Sequence, residues 1–448
     1  VTPIQRELAT ISRLATPVVA TQLGSITMWV VDVVMVGAVG VEALDAAALG
    51  RLWIMGTMIV SMGIVLGIDP LVAQAHGAGD SATIGLTLQR GLVIAFLLTI
   101  PNALLWAVTE RFLLLAGQDP VLAAMAGNYV RIQLPLLPLF LAFTALRQYL
   151  AGRGIMAPTM WVMIVGNGVN VFANWVLIYG NLGAPRLELV GAGISTALTW
   201  GVMVVALLGW ILVRKLYRGA WDGWTRRAFD PRGLLRVVHY GLPVGIQLGL
   251  ELWAFVLAMF LAGWLGVVEL ASHTIVINLA SISFMVPLGV AIGTVTRVGN
   301  LIGEGRPKEA QLAAWVAIGL GAAFMTLFAV AFMVGRNLLP RIYTADGAVI
   351  ALSASLLPIA AAFQLFDGVQ AVGGGVLRGM GKTRPAAVIN LVGYYALALP
   401  IGYVLAFRLG MGMAGIWWGL AIGLAVVAVS LVVWVWRRGP ARVDARVV

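Results

Sequence analysis

Apolar residues fill this chain in runs of twenty or more, broken by short clusters of Gly, Pro and charged side chains. A hydrocarbon layer about 30 Å thick takes roughly 20 apolar helical residues to cross, so runs of this length predict membrane-spanning helices. The pattern puts six near residues 12–38, 47–75, 87–116, 122–152, 157–180 and 190–214. Six more fall near 237–264, 268–302, 310–335, 347–377, 386–407 and 411–436. The expected fold is an all-α integral membrane protein of twelve transmembrane helices. Several runs exceed the crossing length, which predicts tilt or extension past the bilayer.

The longest polar connection, from Arg214 to Arg236, divides the chain into an N-terminal six-helix half (1–216), a basic linker (217–235) and a C-terminal six-helix half (236–448). Glycines and prolines repeat between the halves. Gly63, Gly67, Gly77 and Gly79 recur as Gly289, Gly293, Gly303 and Gly305, and Pro17, Gly37 and Gly40 as Pro243, Gly263 and Gly266, all at an offset of 226. Gly152, Gly154 and Pro158 recur as Gly379, Gly381 and Pro385 at 227. One residue of drift over so long a stretch predicts duplication of a half-length unit. Because each unit holds an even number of spans, the two are parallel repeats related by an axis along the bilayer normal. This is transporter architecture, in which two bundles rock about a central cavity.

Composition removes the alternatives. The 448 residues are 61% apolar and 10% charged, with mean hydropathy +0.98, which excludes an ordinary soluble enzyme. A net charge of +11 would suggest nucleic acid in a soluble protein. Here Arg90, Arg153, Arg306, Lys308, Lys382, Arg384, Arg437 and Arg438 fall on the linker's side of a twelve-span chain. That is the distribution of cytoplasmic loops; it puts both termini in the cytoplasm and makes membrane lipid, not nucleic acid, the partner. The polar opening Gln5-Arg6-Glu7 is unlike a cleavable signal peptide. With no cysteine and three scattered histidines, disulfides, thiol catalysis and a cofactor are not expected.

Charged side chains inside a span cost at least a few kcal/mol each, so the intramembrane acids are the candidate functional groups. Asp32 lies in the first span, Glu251 in the seventh and Asp367 in the tenth, none with a basic residue nearby in sequence. A buried carboxylate lacking a counter-ion accepts a proton readily or binds a small cation with neighbouring oxygens, and each is a way to couple ion flow to conformation. Amides stand beside each acid. Asn170 and Asn174 in the fifth span lie one turn apart on one face, Gln247 precedes Glu251 by one turn, and Gln370 follows Asp367 by three residues. Gln364, His273 and Asn278 extend the polar set; packing between helices is the alternative role for the asparagines. Asp69, Arg131 and Arg147 receive no role. The 16 tryptophans and 17 methionines suit a cavity for flat lipophilic cations, although many of them must face lipid.

These residues resemble the multidrug and toxic compound extrusion (MATE) transporters, in particular their bacterial NorM-type branch. The resemblance spans essentially the whole chain. It rests on Leu14-Ala15-Thr16-Pro17, Val31-Asp32-Val33-Val34-Met35-Val36-Gly37, Val72-Ala73-Gln74-Ala75-His76-Gly77-Ala78-Gly79, Asn174-Trp175-Val176-Leu177-Ile178-Tyr179-Gly180, Asp367-Gly368-Val369-Gln370 and Leu377-Arg378-Gly379. It implies a V-shaped twelve-helix antiporter, monomeric in the bacterial inner membrane, that expels cationic lipophilic drugs and dyes in exchange for sodium ions or protons. It further implies a second-half cation site at Glu251 and Asp367, and a first-half site at Asp32 with Asn170 and Asn174. Some relatives carry a tyrosine where this chain has Phe363, one turn before Asp367, which removes a hydroxyl ligand and slightly favours protons, unless Gln364 or water substitutes. A lipid-linked glycan flippase is the alternative within the same superfamily; it would be expected to carry basic residues in its cavity.

Overall fold

A computed structural model describes residues 2–218, 220–221 and 223–443; residues 219 and 222 of the expected linker, and both extreme ends of the chain, lie outside these. The described residues contain helices and no strand. The spans are α1 (Pro3–Gly37), α2 (Val41–Gly77), α3 (Ser81–Ala107), α4 (Pro120–Ile132 and Leu136–Gly152), α5 (Ala157–Tyr179) and α6 (Glu188–Val213). They continue as α7 (Pro231–Leu265), α8 (Val267–Gly303), α9 (Pro307–Gly335), α10 (Gly347–Gly379), α11 (Thr383–Arg408) and α12 (Gly412–Arg438). Among the described residues eleven helices are long and apolar enough to cross a bilayer, and the two segments of α4 make a twelfth span.

The two segments of α4 meet at 53°. The break falls at Gln133-Leu134-Pro135, where proline can neither donate its backbone bond nor clear the preceding turn. Several helix starts are capped by acids: Asp80 accepts from the Thr83 amide at 3.0 Å and hydroxyl at 2.5 Å. These donors hold the Asp80 carboxyl below the ordinary carboxylate range. Asp119 and Asp346 cap the first segment of α4 and α10 in the same way. α11 widens locally into π-turns at Val392–Ala398 and Val404–Arg408, a distortion that often accompanies functional positions.

The repeat seen in the sequence is carried by the backbone. Gly79 and Gly305 end the second helix of each half with φ of 71° and 76°, and Gly154 and Gly381 follow the fourth with 75° and 73°. An L side chain rarely adopts these values, so glycine is kept at both copies.

The chain packs as two units, Val1–Val19 with Ala73–Gly79 and Ile246–Val448, and Ala20–Val72 with Asp80–Gly245. In the first, the opening of α1 lies on α8, where a Cβ added at Gly289 would sit 2.4 Å from the Val19 side chain. Glu7, 3% exposed, accepts two bonds from Arg297 at 2.8 and 2.5 Å, and the Gln74 amide donates to the Gly379 carbonyl at 2.9 Å. In the second, the opening of α7 lies on α2, where a Cβ at Gly63 would meet the Gly245 Cα at 2.1 Å. Gly63 and Gly289 are repeat mates, as are Val19 and Gly245, so the same pair of repeat positions meets twice, once in each unit.

Candidate functional site

Two polar clusters stand inside the helices, one in each unit. In the N-terminal cluster, Asp32 is 5% exposed on α1. The Asn174 amide donates to its Oδ1 at 2.7 Å and also lies 3.3 Å from Asn170 Oδ1. The one-turn spacing of the asparagines on α5 aims both at the acid. Thr196 of α6 donates to Asp32 Oδ2 at 3.5 Å. Arg51 of α2 stands 3.5 Å from the same oxygen, with its guanidinium 5.5 Å from the centroid of the Trp29 ring. The expectation that Asp32 lacks a basic partner is therefore corrected. The cation comes from the next helix, α2, and proximity along the chain did not reveal it.

In the C-terminal cluster, Glu251 of α7 and Asp367 of α10 are in electrostatic contact. The Gln370 amide lies 3.5 Å from Glu251 Oε2 and 3.4 Å from Asn390 Oδ1 on α11. The fully buried phenol of Tyr394 feels both acids, and the adjacent Tyr395 hydroxyl donates to the Leu250 carbonyl at 3.1 Å. Both tyrosines stand in the first π-turn of α11. The buried Gln370 Oε1 and the Tyr394 hydroxyl have no protein hydrogen-bond partner, so neutral oxygens are left over beside two carboxylates. The field of Arg378 reaches Glu251, so this acid too has a positive neighbour that its local sequence does not contain.

The remaining expected members divide. Gln247 is buried, its amide nitrogen 3.5 Å from a Cβ built on Gly374 of α10. Gln364 accepts from the Ser283 hydroxyl of α8 at 2.9 Å. His273 is buried with its ring 5.6 Å from that of Trp417, and Asn278 is tied to the Thr274 carbonyl of its own helix at 2.8 Å; neither bonds to an acid. Phe363 is packed edge-on against Trp417 and Phe255 and offers no oxygen. Of the groups given no role, Arg147 interacts electrostatically with Asp69, and Arg131 pairs with Glu110 at 2.5 Å. Sequence reasoning missed Arg51, Thr196, Asn390 and Tyr394. For the last two the signal was present: they stand one turn apart in the eleventh span, the same pattern as Asn170 and Asn174.

Twelve apolar helices in two repeats, with carboxylates and amides held inside each, define a multi-pass membrane transporter and not an enzyme. The family model MatE matches twice, at residues 17–176 and 243–404, which begin at the paired prolines Pro17 and Pro243. The chain belongs to the MatE family. It is 36% identical over 440 residues to the multidrug resistance protein NorM of Burkholderia vietnamiensis, covering 97% of this chain and 94% of the relative. It is 32% identical over 441 residues to multidrug and toxin extrusion protein 2 of Mus musculus, covering 98% and 76%. The crystal structure of the eukaryotic MATE transporter AtDTX14 superposes with a TM-score of 0.90 at 24% identity, covering 98% of this chain and 99% of that one, a likeness of fold.

Proposed function

We propose that this transporter exports lipophilic organic cations across the bacterial inner membrane, as a monomer with both termini in the cytoplasm, in exchange for sodium ions or protons. The observation that carries the reading is the C-terminal cluster. Glu251 and Asp367 interact across α7 and α10, with Gln370, Asn390 and Tyr394 supplying neutral oxygens around them. Two carboxylates held this way repel one another until a proton or a sodium ion enters. Binding of that ion changes the charge that a cationic drug would otherwise neutralise, so the two compete for the same carboxylates and their fluxes are coupled by exchange. Asp32 acts differently, because Arg51 already compensates it; a proton or a drug must first displace an internal cation. Alternating access of the two halves would carry the exchange across the membrane. The relatives' names, which speak of multidrug resistance and toxin extrusion, support a drug substrate and lend nothing to the glycan-flippase alternative.

The test is ethidium efflux from liposomes containing the purified protein, driven by a sodium gradient alone and then by a proton gradient alone. Glu251→Gln and Asp367→Asn keep shape while removing charge. Efflux that follows one gradient and is lost in both variants supports the reading and names the ion. Active, correctly inserted protein that gives no gradient-driven efflux would overturn it.

A further inference from the structure

The basic linker is not a loose tether. It is fastened to the start of α3 by side chains of that helix. The Gln89 amide donates to the Gly223 carbonyl at 2.5 Å and its oxygen accepts from the Thr225 amide at 3.0 Å and hydroxyl at 3.2 Å. Arg90 donates to the Arg227 carbonyl at 3.4 Å and stands 3.9 Å from Asp230. The Leu216 carbonyl accepts from Arg153 and Tyr149. The approach is close enough that a Cβ at Gly85 would lie 2.2 Å from the Ala220 carbonyl oxygen. These anchors lie within the first three turns of α3 or at the end of α4, so the segment is held level with the helix ends.

What the fastened backbone turns outward is unusual for a polar connection. Trp224 and Phe229 are 56% and 61% exposed, with rings near-parallel and 6.4 Å apart, and Trp221 packs edge-on against Trp224 at 5.9 Å. Arg214, Lys215, Arg218, Arg226, Arg227 and Arg232 are all exposed around them. Asp230, the acid described among them, is engaged by Arg90. The basic residues beside α8 and α9 are in the opposite condition: Arg306 pairs with Glu304 and Glu309, and Arg297 with Glu7. Among the described residues these six linker cations make no ion pair with an acid, and they flank the aromatic ridge along the chain.

We propose that the described linker residues between Arg214 and Arg232 form a docking surface for anionic phospholipid headgroups. The arginines and the lysine meet the phosphates while Trp224 and Phe229 enter the interfacial layer. Tryptophan favours that layer because one end of its ring is apolar and the other can donate to water or phosphate. Exposed basic groups beside a membrane are attracted to its anionic lipids, an attraction that falls off within a Debye length.

The chain has no cysteine, so a single introduced one can be labelled uniquely. Full-length Phe229→Cys carrying an environment-sensitive fluorophore is placed in nanodiscs of phosphatidylcholine alone and in nanodiscs containing phosphatidylglycerol. The emission is expected to shift to the blue in phosphatidylglycerol, to return towards the phosphatidylcholine value in high salt, and to lose the shift in an Arg226→Gln, Arg227→Gln, Arg232→Gln background. Trp224→Cys is a second reporter should the first label disturb the ridge. Equal emission from both reporters in the two lipids overturns the proposal, as does a shift that survives neutralisation of the arginines. A shift produced equally by inorganic phosphate added to phosphatidylcholine discs would mean a free-anion site, and would overturn it as well.

Discussion

The Arg51 guanidinium stands 3.5 Å from the Asp32 carboxylate and over the Trp29 ring, so the acid of the first span carries its own cation. Removing either charge alone leaves the other uncompensated inside the bundle. Breaking a fully buried pair costs about 3–5 kcal/mol, and the partial exposure of Arg51 lowers the expectation to roughly 2–3 kcal/mol. Asp32→Asn and Arg51→Gln are each expected to lower thermal stability in detergent, measured by fluorescence-detected size exclusion after heating. The Asp32→Asn, Arg51→Gln double variant should recover most of the loss. Additive losses would mean that the two groups do not compensate one another.

The C-terminal cluster also predicts how transport responds to the loss of a neutral group. Gln370 donates its amide NH2 towards Glu251 and Asn390 and leaves its Oε1 without a protein partner, so Gln370→Ala removes a neutral oxygen beside the acids without changing charge. Under the proposed exchange mechanism it should weaken the apparent affinity for the driving ion by about tenfold, the equivalent of ~1.4 kcal/mol, while leaving the maximal efflux rate nearly unchanged. Initial efflux rates against ion concentration measure both quantities. A fall in maximal rate at unchanged ion dependence would place Gln370 outside the ion's coordination.

Close glycine contacts make a prediction about packing. A Cβ at Gly77 would lie 2.0 Å from the Asn300 carbonyl oxygen, whereas one at Gly168, on α5, meets nothing within 4 Å. Overpacking costs about 1–3 kcal/mol where neighbours can yield, and here the neighbour is backbone. Gly77→Ala should therefore fail to give well-behaved protein or melt much earlier than the parent. Gly168→Ala removes unfolded-state freedom from a helix interior and should be neutral or stabilising by roughly 0.5–1 kcal/mol. The pair can be read from the same heating curves.

Asp80 caps α3 as a carboxylate, through the hydroxyl and amide of Thr83. Its folded-state affinity for a proton is lowered, so the stabilisation is complete above the ordinary carboxylate range and disappears as pH falls through the depressed folded value. Asp80→Ala should lower protection of the first turn of α3 by ~0.5–1 kcal/mol at neutral pH, near the low end for such caps because solvent screens the site. The difference should vanish in acid below both values. Hydrogen exchange of that turn, followed against pH and corrected for intrinsic rates, measures it.

The number and order of spans were legible because lipid imposes a single length and polarity rule on every crossing, and the repeat was legible because close helix contacts keep glycine at both copies. Helix starts were less so. α1 begins at Pro3 and α7 at Pro231, well before the apolar runs; in α1 the polar extension carries Glu7, which is paired with Arg297 of α8. Hydropathy has no term for that. Within the sites, side chains on one helix face could be read from their spacing, as with Asn170 and Asn174. Partners that meet only across helices, Arg51 with Asp32 and Tyr394 with the acid pair, depend on how the bundle is assembled.

Gln89 fastens the linker through three hydrogen bonds made by one side chain, with the Gly223 carbonyl and the Thr225 amide and hydroxyl. Each such bond is worth about 1 kcal/mol net, less where water replaces it, so Gln89→Ala should favour local opening by roughly 1–2 kcal/mol. Arg226 and Arg227 follow directly and are exposed, which gives trypsin a cleavage point whose use tracks the population of the opened segment when opening and closing are fast. Cleavage there should accelerate by about tenfold in Gln89→Ala. Gln89→Glu, which keeps an acceptor for Thr225 and loses the donor to Gly223, should fall between the two. Proteolysis at Arg226 and Arg227 that is unchanged in both variants would mean that Arg90, Arg153 and Tyr149 hold the segment without help from Gln89.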